Sequence, residues 1–215
     1  MSANSDDQQA VVPVGLDLVA PEVYMPMLRR LALAAAGIGL GAALLAAIVV
    51  SWPIAVAIGL VIGAPTLLYT LALRRRRMWL AGTVLRVRRV FGERQLDMTA
   101  VVGVEVLVFP NRLSRIALRV TAAGISQIIP LAMYTDAGSG RELHLLGLRR
   151  LADALAAGHS ASAVAVSAML VQQLRAAARD AGLEQRPLYR AVRLARAKDA
   201  VSPIVLTDSE VAALG

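Results

Sequence analysis

Residues 31–73, LALAAAGIGLGAALLAAIVVSWPIAVAIGLVIGAPTLLYTLAL, run for 43 positions without a charged side chain, between Arg29-Arg30 and Arg74-Arg75-Arg76-Arg77. The hydrocarbon core of a bilayer, about 30 Å thick, takes roughly 20 helical residues, so one helix does not use up this run. Ser51-Trp52-Pro53 divides it into 31–50 and 54–73, each one span long. The expectation is two transmembrane helices joined by a tight turn centred near Trp52. A buried helical pair in a soluble protein fits less well, because soluble cores rarely hold so long an uninterrupted apolar run. A cleaved leader fits less well still: it needs a basic start before an apolar stretch of about 7–15 residues, and residues 1–28 hold Asp6, Asp7, Asp17 and Glu22 with no base.

The arginines give an orientation. Basic residues beside a span stay preferentially on the cytoplasmic side; here both outer ends are basic and the turn is uncharged. Two spans put both termini on one side, so Arg29, Arg30, Arg74, Arg75, Arg76 and Arg77 predict a multi-pass protein of the inner (cell) membrane, with its N-terminus and C-terminal part in the cytoplasm. Within the spans, Gly37 and Gly41 form one small-xxx-small pair and Gly59 and Gly63 another. Such spacing lets helix backbones approach where apolar side chains gain nothing by leaving lipid. Counting outward from Trp52 pairs Gly41 with Gly63; association of two copies through Gly37 and Gly41 is the alternative. Pro65 is expected to kink the second helix or loosen its preceding turn. Trp52, Tyr69 and Trp79 suit interfacial anchoring. No ionisable residue lies inside the spans, as ion or proton paths normally require, which argues against a transporter.

Residues 1–28 carry a net −4 and the remainder +12, and 22 of the 23 basic residues are arginine, Lys198 being the exception. That bias, with abundant alanine, resembles a high-GC bacterial genome. Cysteine is absent, which removes disulfides, thiol chemistry and thiolate metal sites.

After the arginine cluster the period changes to that of strands. Val84–Arg88 and Glu93–Asp97 read as a hairpin turning at Phe91-Gly92. Val104–Phe109 reads as a strand stopped by Pro110-Asn111. Arg115–Thr121 turns at Ala122-Ala123-Gly124 into Ile125–Pro130. A polar loop at 135–140 precedes a helix over Leu148–Ala157, with leucines at 148, 151 and 155. The expected fold class is α+β: a transmembrane hairpin, a small antiparallel β-barrel closed by a helix, and C-terminal helices. The corresponding domains are an acidic segment over 1–28, expected to be poorly ordered, the hairpin over 29–77, the β domain over 78–157 and a helical extension over 158–215.

Membrane hairpin, basic juncture, the strand segment Leu96–Val106, Gly124-Ile125 and a closing leucine-rich helix together resemble bacterial pleckstrin-homology-like (PH-like) integral membrane proteins. The resemblance covers about residues 31–157. It implies a seven-stranded bent barrel capped by a helix, and many members have no assigned activity.

In the extension, Ser160 or Ser162 is placed to cap a helix running to Ala181, with Gly182 as its stop. Its apolar part is short and broken by serines, so a third span is not expected. Pro187–Ala197 reads as a second helix, proline suiting its start, with Arg190, Arg193 and Arg196 at three-residue spacing. Val201–Gly215 is a mildly acidic tail, with a strand over Ile204–Leu206 and a helix over Ser209–Leu214.

Nothing in this pattern reads as an enzyme. His144 and His159 are the only histidines, and metal sites usually need three or four convergent ligands. Gly138-Ser139-Gly140 lacks the lysine and spacing of a phosphate loop; Glu93, Asp97 and Glu105 form no carboxylate dyad. No catalytic, cofactor-binding or metal residue is assigned and no cofactor is expected. The remaining candidates are arginines: Arg86, Arg88 and Arg94 on the first hairpin, and Arg190, Arg193 and Arg196, as contacts for lipid headgroups or a partner. Nucleic acid is not expected, since no binding motif accompanies them. Two functions follow as expectations. One is a non-enzymatic anchor whose cytoplasmic PH-like domain docks a protein partner or supports assembly of a membrane complex. The other is a sensor of anionic headgroups through Arg86, Arg88 and Arg74–Arg77.

Overall fold

Helix α1 spans Pro21–Ala46 and α2 spans Trp52–Arg75 in the computed structural model, which describes residues 13–19, 21–75, 77–89, 92–199 and 202–215. Residues 1–12 and Ala20 of the acidic segment, with Arg76, Val90, Phe91, Ala200 and Val201, lie outside the described residues. The chain forms two compact units. A helical unit holds Val19–Arg77 with the hairpin tip Val87–Arg94; a globular unit holds Met1–Leu18, Met78–Arg86 and Gln95–Gly215.

In the helical unit α1 begins ten residues ahead of the charge-free run, because Pro21 at its first position has its φ already fixed for a helix. The turn occupies residues 47–51 rather than centring on Trp52. The carbonyl of Ser51 accepts the N–H groups of Ile54 (3.0 Å) and Ala55 (3.1 Å), so Trp52 and Pro53 are the first residues of α2. Proline belongs there, where its missing N–H costs nothing. α2 then continues unbroken across Pro65.

Short strands make two antiparallel sheets. β1 (Val14–Gly15), β2 (Arg77–Ala81), β3 (Val84–Arg88) and β4 (Glu93–Asp97) form the first, in the order β1-β2-β3-β4. β5 (Val101–Phe109), β6 (Leu113–Ala122), β7 (Ile125–Thr135), β8 (Gly140–Glu142) and β9 (Ile204–Val205) form the second, in the order β8-β7-β6-β5-β9. Among the described residues this is not a closed barrel. A 3₁₀ turn over Met98–Ala100, capped by Asp97 accepting from Thr99 N, ends β4 before β5 begins. The edges that closure would join are taken by short strands, β9 on β5 and β8 on β7. Trp79, expected at a lipid interface, pairs with Gly15 in the first sheet. β7 runs past Pro130, where a strand end was expected: a register shift opposite Ile116 and Ala117 takes up Leu131, and proline is tolerated at a bulge.

Among the described residues four helices complete the globular unit: α3 (Leu145–Ala156), α4 (Ala161–Ala178), α5 (Pro187–Ala197) and α6 (Asp208–Ala212). α4 ends at Ala178 and not at Ala181. Asp180 adopts φ 49°, and Ala181 N–H reaches back to Ala176 O at 2.9 Å, a left-handed helix stop supplied by aspartate; Gly182, at φ −58°, instead opens a 3₁₀ turn. Ser162 Oγ accepts from Val104 N at 3.1 Å, tying the start of α4 to β5. Among the described residues three helices are long and apolar enough to cross a membrane: Val23–Ala46 of α1, α2 and α4. α4 also packs on α3, α5, α6 and β5 and buries Val166, Met169, Leu170 and Gln173, as a core helix does.

Candidate functional site

The seam between α1 and α2 is built from Ala35, Gly39 and Ala43 facing Ala55, Gly59 and Gly63. A Cβ on Gly39 would stand 2.8 Å from Gly59 O, one on Gly59 2.6 Å from Gly39 O and 2.8 Å from Ala43 Cβ, and one on Gly63 3.2 Å from Ala35 O. Gly39 and Gly59 thus meet backbone to backbone, closer than a Cβ on either allows, while at Gly63 a Cβ would need its neighbour to give by a few tenths of an ångström. Gly37 and Gly41 have nothing within 4 Å of such a Cβ, so the Gly41–Gly63 pairing is wrong. The seam is centred on Val49, three residues before Trp52: Ala43 and Ala55 lie six residues from it, Gly39 and Gly59 ten, Ala35 and Gly63 fourteen. Counting alanine as a small residue would have found this matched set.

Charge is divided unevenly. The helical unit holds nine arginines and two glutamates; the globular unit holds fourteen bases and thirteen acids. Arg29 and Arg30 are exposed on α1, Arg74 is half-buried and Arg75 exposed in the last turn of α2, and Arg77 is exposed at the start of β2. Cations in that last turn also complement the helix dipole. On β3, Leu85 and Val87 are buried, while Arg86 is half-buried and Arg88 exposed, the alternation a strand imposes. Arg88 and the exposed Arg94 belong to the hairpin tip within the helical unit, and Arg86 to the globular unit.

The three arginines of α5 are used inside the globular unit. Arg190 donates to Ala213 O at 3.3 Å, Arg193 pairs with Glu184, and Arg196 donates to Ser114 Oγ at 3.0 Å and Asp136 Oδ1 at 2.7 Å. They therefore offer a partner less than their spacing suggested. Arg196 and Asp136 line an open cleft of about 360 Å³ with Pro110, Asn111, Arg112 and Asp199, two arginines against two aspartates.

The densest polar cluster went unnoticed in the sequence. Glu142 accepts from Tyr134 Oη at 2.6 Å, from Gln173 Nε2 at 2.8 Å and from Arg186 NH1 at 3.2 Å. The Gln173 oxygen accepts Leu188 N–H at 3.1 Å, and Arg186 Nε donates to Ala181 O at 3.0 Å. The Tyr134 ring meets Tyr189 edge-on at 5.3 Å. Burial pushes the Tyr134 hydroxyl well above its ordinary 10.0, and the Glu142 hydrogen bond and charge push the same way. The cluster ties β7 and β8 to α4 and α5. Glu142 and Arg186 are 44 residues apart, so no local spacing announces them; the one signal is Gln173, a polar residue on an apolar helix. The exposed carboxylates are structural too: Asp97 caps its 3₁₀ turn, and Glu105 pairs with Arg119 at 2.9 Å. His144 is exposed just before α3 and His159 in the loop after it, and among the described residues no three metal-binding side chains converge.

Together these observations define an α+β chain with an apolar helix pair whose length and composition suit a membrane. Compared with known proteins, it matches no family model, no curated protein and no solved structure.

Proposed function

We propose that the chain is a non-enzymatic integral membrane protein, in which α1 and α2 anchor a cytoplasmic PH-like unit that docks a protein partner or supports assembly of a membrane complex. The observation that carries this reading is the α1–α2 seam, close-packed and free of ionisable groups, which suits an anchor and not a conduit. Measured from Val49, Arg29 lies level with Tyr69, twenty residues from the turn; at 1.5 Å per residue that is about 30 Å, one hydrocarbon thickness. Two meanders followed by α3 are compatible with a PH-like origin, elaborated by β8, β9 and the C-terminal helices. The Glu142 cluster and the α5 ion pairs hold the globular unit together, in keeping with a binding role.

A second reading, an anionic-headgroup sensor, is favoured by the charge division. Nine arginines to two glutamates in the helical unit, Arg88 and Arg94 among them, suit an anionic surface, where each basic residue contributes roughly 1 kcal/mol. One purification separates the two. Taken from native membranes in mild detergent, the full chain should carry a stoichiometric protein partner that dissociates when unit-surface residues are altered. A chain that emerges alone, but retains anionic lipid in a manner lost on Arg88→Ala/Arg94→Ala, would replace the adaptor reading by the sensor.

A further inference from the structure

The start of α3 presents an exposed apolar pair flanked by cations on the same helix. Leu145 and Leu146 are 54% and 52% exposed, while Leu148 and Leu151, farther along the same helix, are fully buried. Arg141 on β8 and Arg149 and Arg150 on α3 are exposed, and none of the three makes an ion pair among the described residues. Residues four apart on a helix are neighbours, so Arg149 flanks Leu145 and Arg150 flanks Leu146. The one acid of the 141–150 stretch, Glu142, is turned inward to Tyr134, Gln173 and Arg186. The next, Asp153, is exposed four residues from Arg149 and three from Arg150, a neighbour of both, which still leaves three exposed cations to one exposed acid. The patch therefore combines exposed leucine with an excess of positive charge, the combination that binds in the interface of anionic membranes.

We infer that Leu145 and Leu146, with Arg141, Arg149 and Arg150, form a second membrane contact, which docks the globular unit on an anionic bilayer surface. Charge complementarity and connectivity favour a bilayer over a soluble acidic protein. The chain passes between the globular and the helical unit at four places, after Leu18, Arg77, Arg86 and Arg94. With no linker at any of these junctions, a bilayer holding the helices is within reach. Binding to it is intramolecular, so a patch too weak to recruit a soluble protein is sufficient. The inference rests on the membrane-anchor reading and is independent of the arginines of the helical unit.

The chain has no cysteine, so Leu146→Cys gives one attachment point for the environment-sensitive fluorophore NBD. The labelled full chain would be placed in nanodiscs of phosphatidylcholine alone or mixed with phosphatidylglycerol. NBD should report an apolar environment in the anionic discs only, and 1 M salt, which shortens the screening length to about 3 Å, should reverse it. Arg149→Ala/Arg150→Ala should lower the bound-to-free ratio about fivefold per arginine, with far-UV circular dichroism unchanged. A water-like signal in both discs overturns the inference, as does a response to anionic lipid that survives the double substitution. An apolar signal already present in detergent, or appearing only with a co-purified protein, assigns the patch to protein contact and also overturns it. Failure of the anchor reading looks different: the chain would not enter nanodiscs at all.

Discussion

Glu142 accepts hydrogen bonds from Tyr134, Gln173 and Arg186, and its side chain is only 14% exposed against 22% for Arg186. Removing one partner of such a pair leaves the other charge without compensation, and here strands the Tyr134 hydroxyl and the Gln173 amide as well. Glu142→Ala should destabilise the globular unit by about 3 kcal/mol, seen as a lower melting temperature of the full chain in detergent, whereas Glu105→Ala, on an exposed pair, should cost less than about 1 kcal/mol. Tyr134 adds a pH dependence. Its folded-state pKa is raised above the ordinary 10.0, so its stabilising contribution is complete below pH 10 and is lost as the pH rises beyond it. In an alkaline titration followed by phenolate absorbance, one tyrosine should ionise only together with unfolding, and Tyr134→Phe should remove that step.

Among the elements, the helix pair makes the sharpest demand. Gly39→Ala places a methyl 2.8 Å from the Gly59 carbonyl and should cost about 1–3 kcal/mol by overpacking; Gly37→Ala meets nothing within 4 Å and should stay within about 0.5 kcal/mol. Denaturant titration in mixed micelles measures both, and equal effects would contradict the seam. The hairpin itself was legible because 43 uncharged residues between arginines admit few other readings. Its register was not. Trp52-Pro53 looks like a turn, yet proline serves equally well to start a helix, and that three-residue displacement moved the glycine pairing with it. The correction also shifts the arginines. Arg74 lies five residues farther from the turn than Tyr69, the level of Arg29, so the two basic clusters stand about 7 Å apart in depth. β3 and β4 were read from alternation and a Gly turn; β7 outran its proline through a bulge that no local pattern reveals. The Glu142 cluster depends on tertiary contacts over tens of residues and was invisible for that reason.

For the whole molecule, the division of labour follows the division of charge: a strongly basic helical unit that suits a bilayer, and a nearly neutral globular unit whose polar groups are largely engaged with one another. The junctions that flank the helix pair, at Leu18/Val19 and Arg77/Met78, would then lie on one side of the membrane, with the 47–51 turn on the other. Single cysteines test this directly in a chain that has none of its own. With a membrane-impermeant maleimide applied to intact spheroplasts of an expressing bacterium, Ser51→Cys should label at once and Ser202→Cys only after permeabilisation. Labelling of Ser202→Cys in intact spheroplasts, or of Ser51→Cys only after permeabilisation, would contradict the account of an anchor with its working unit in the cytoplasm.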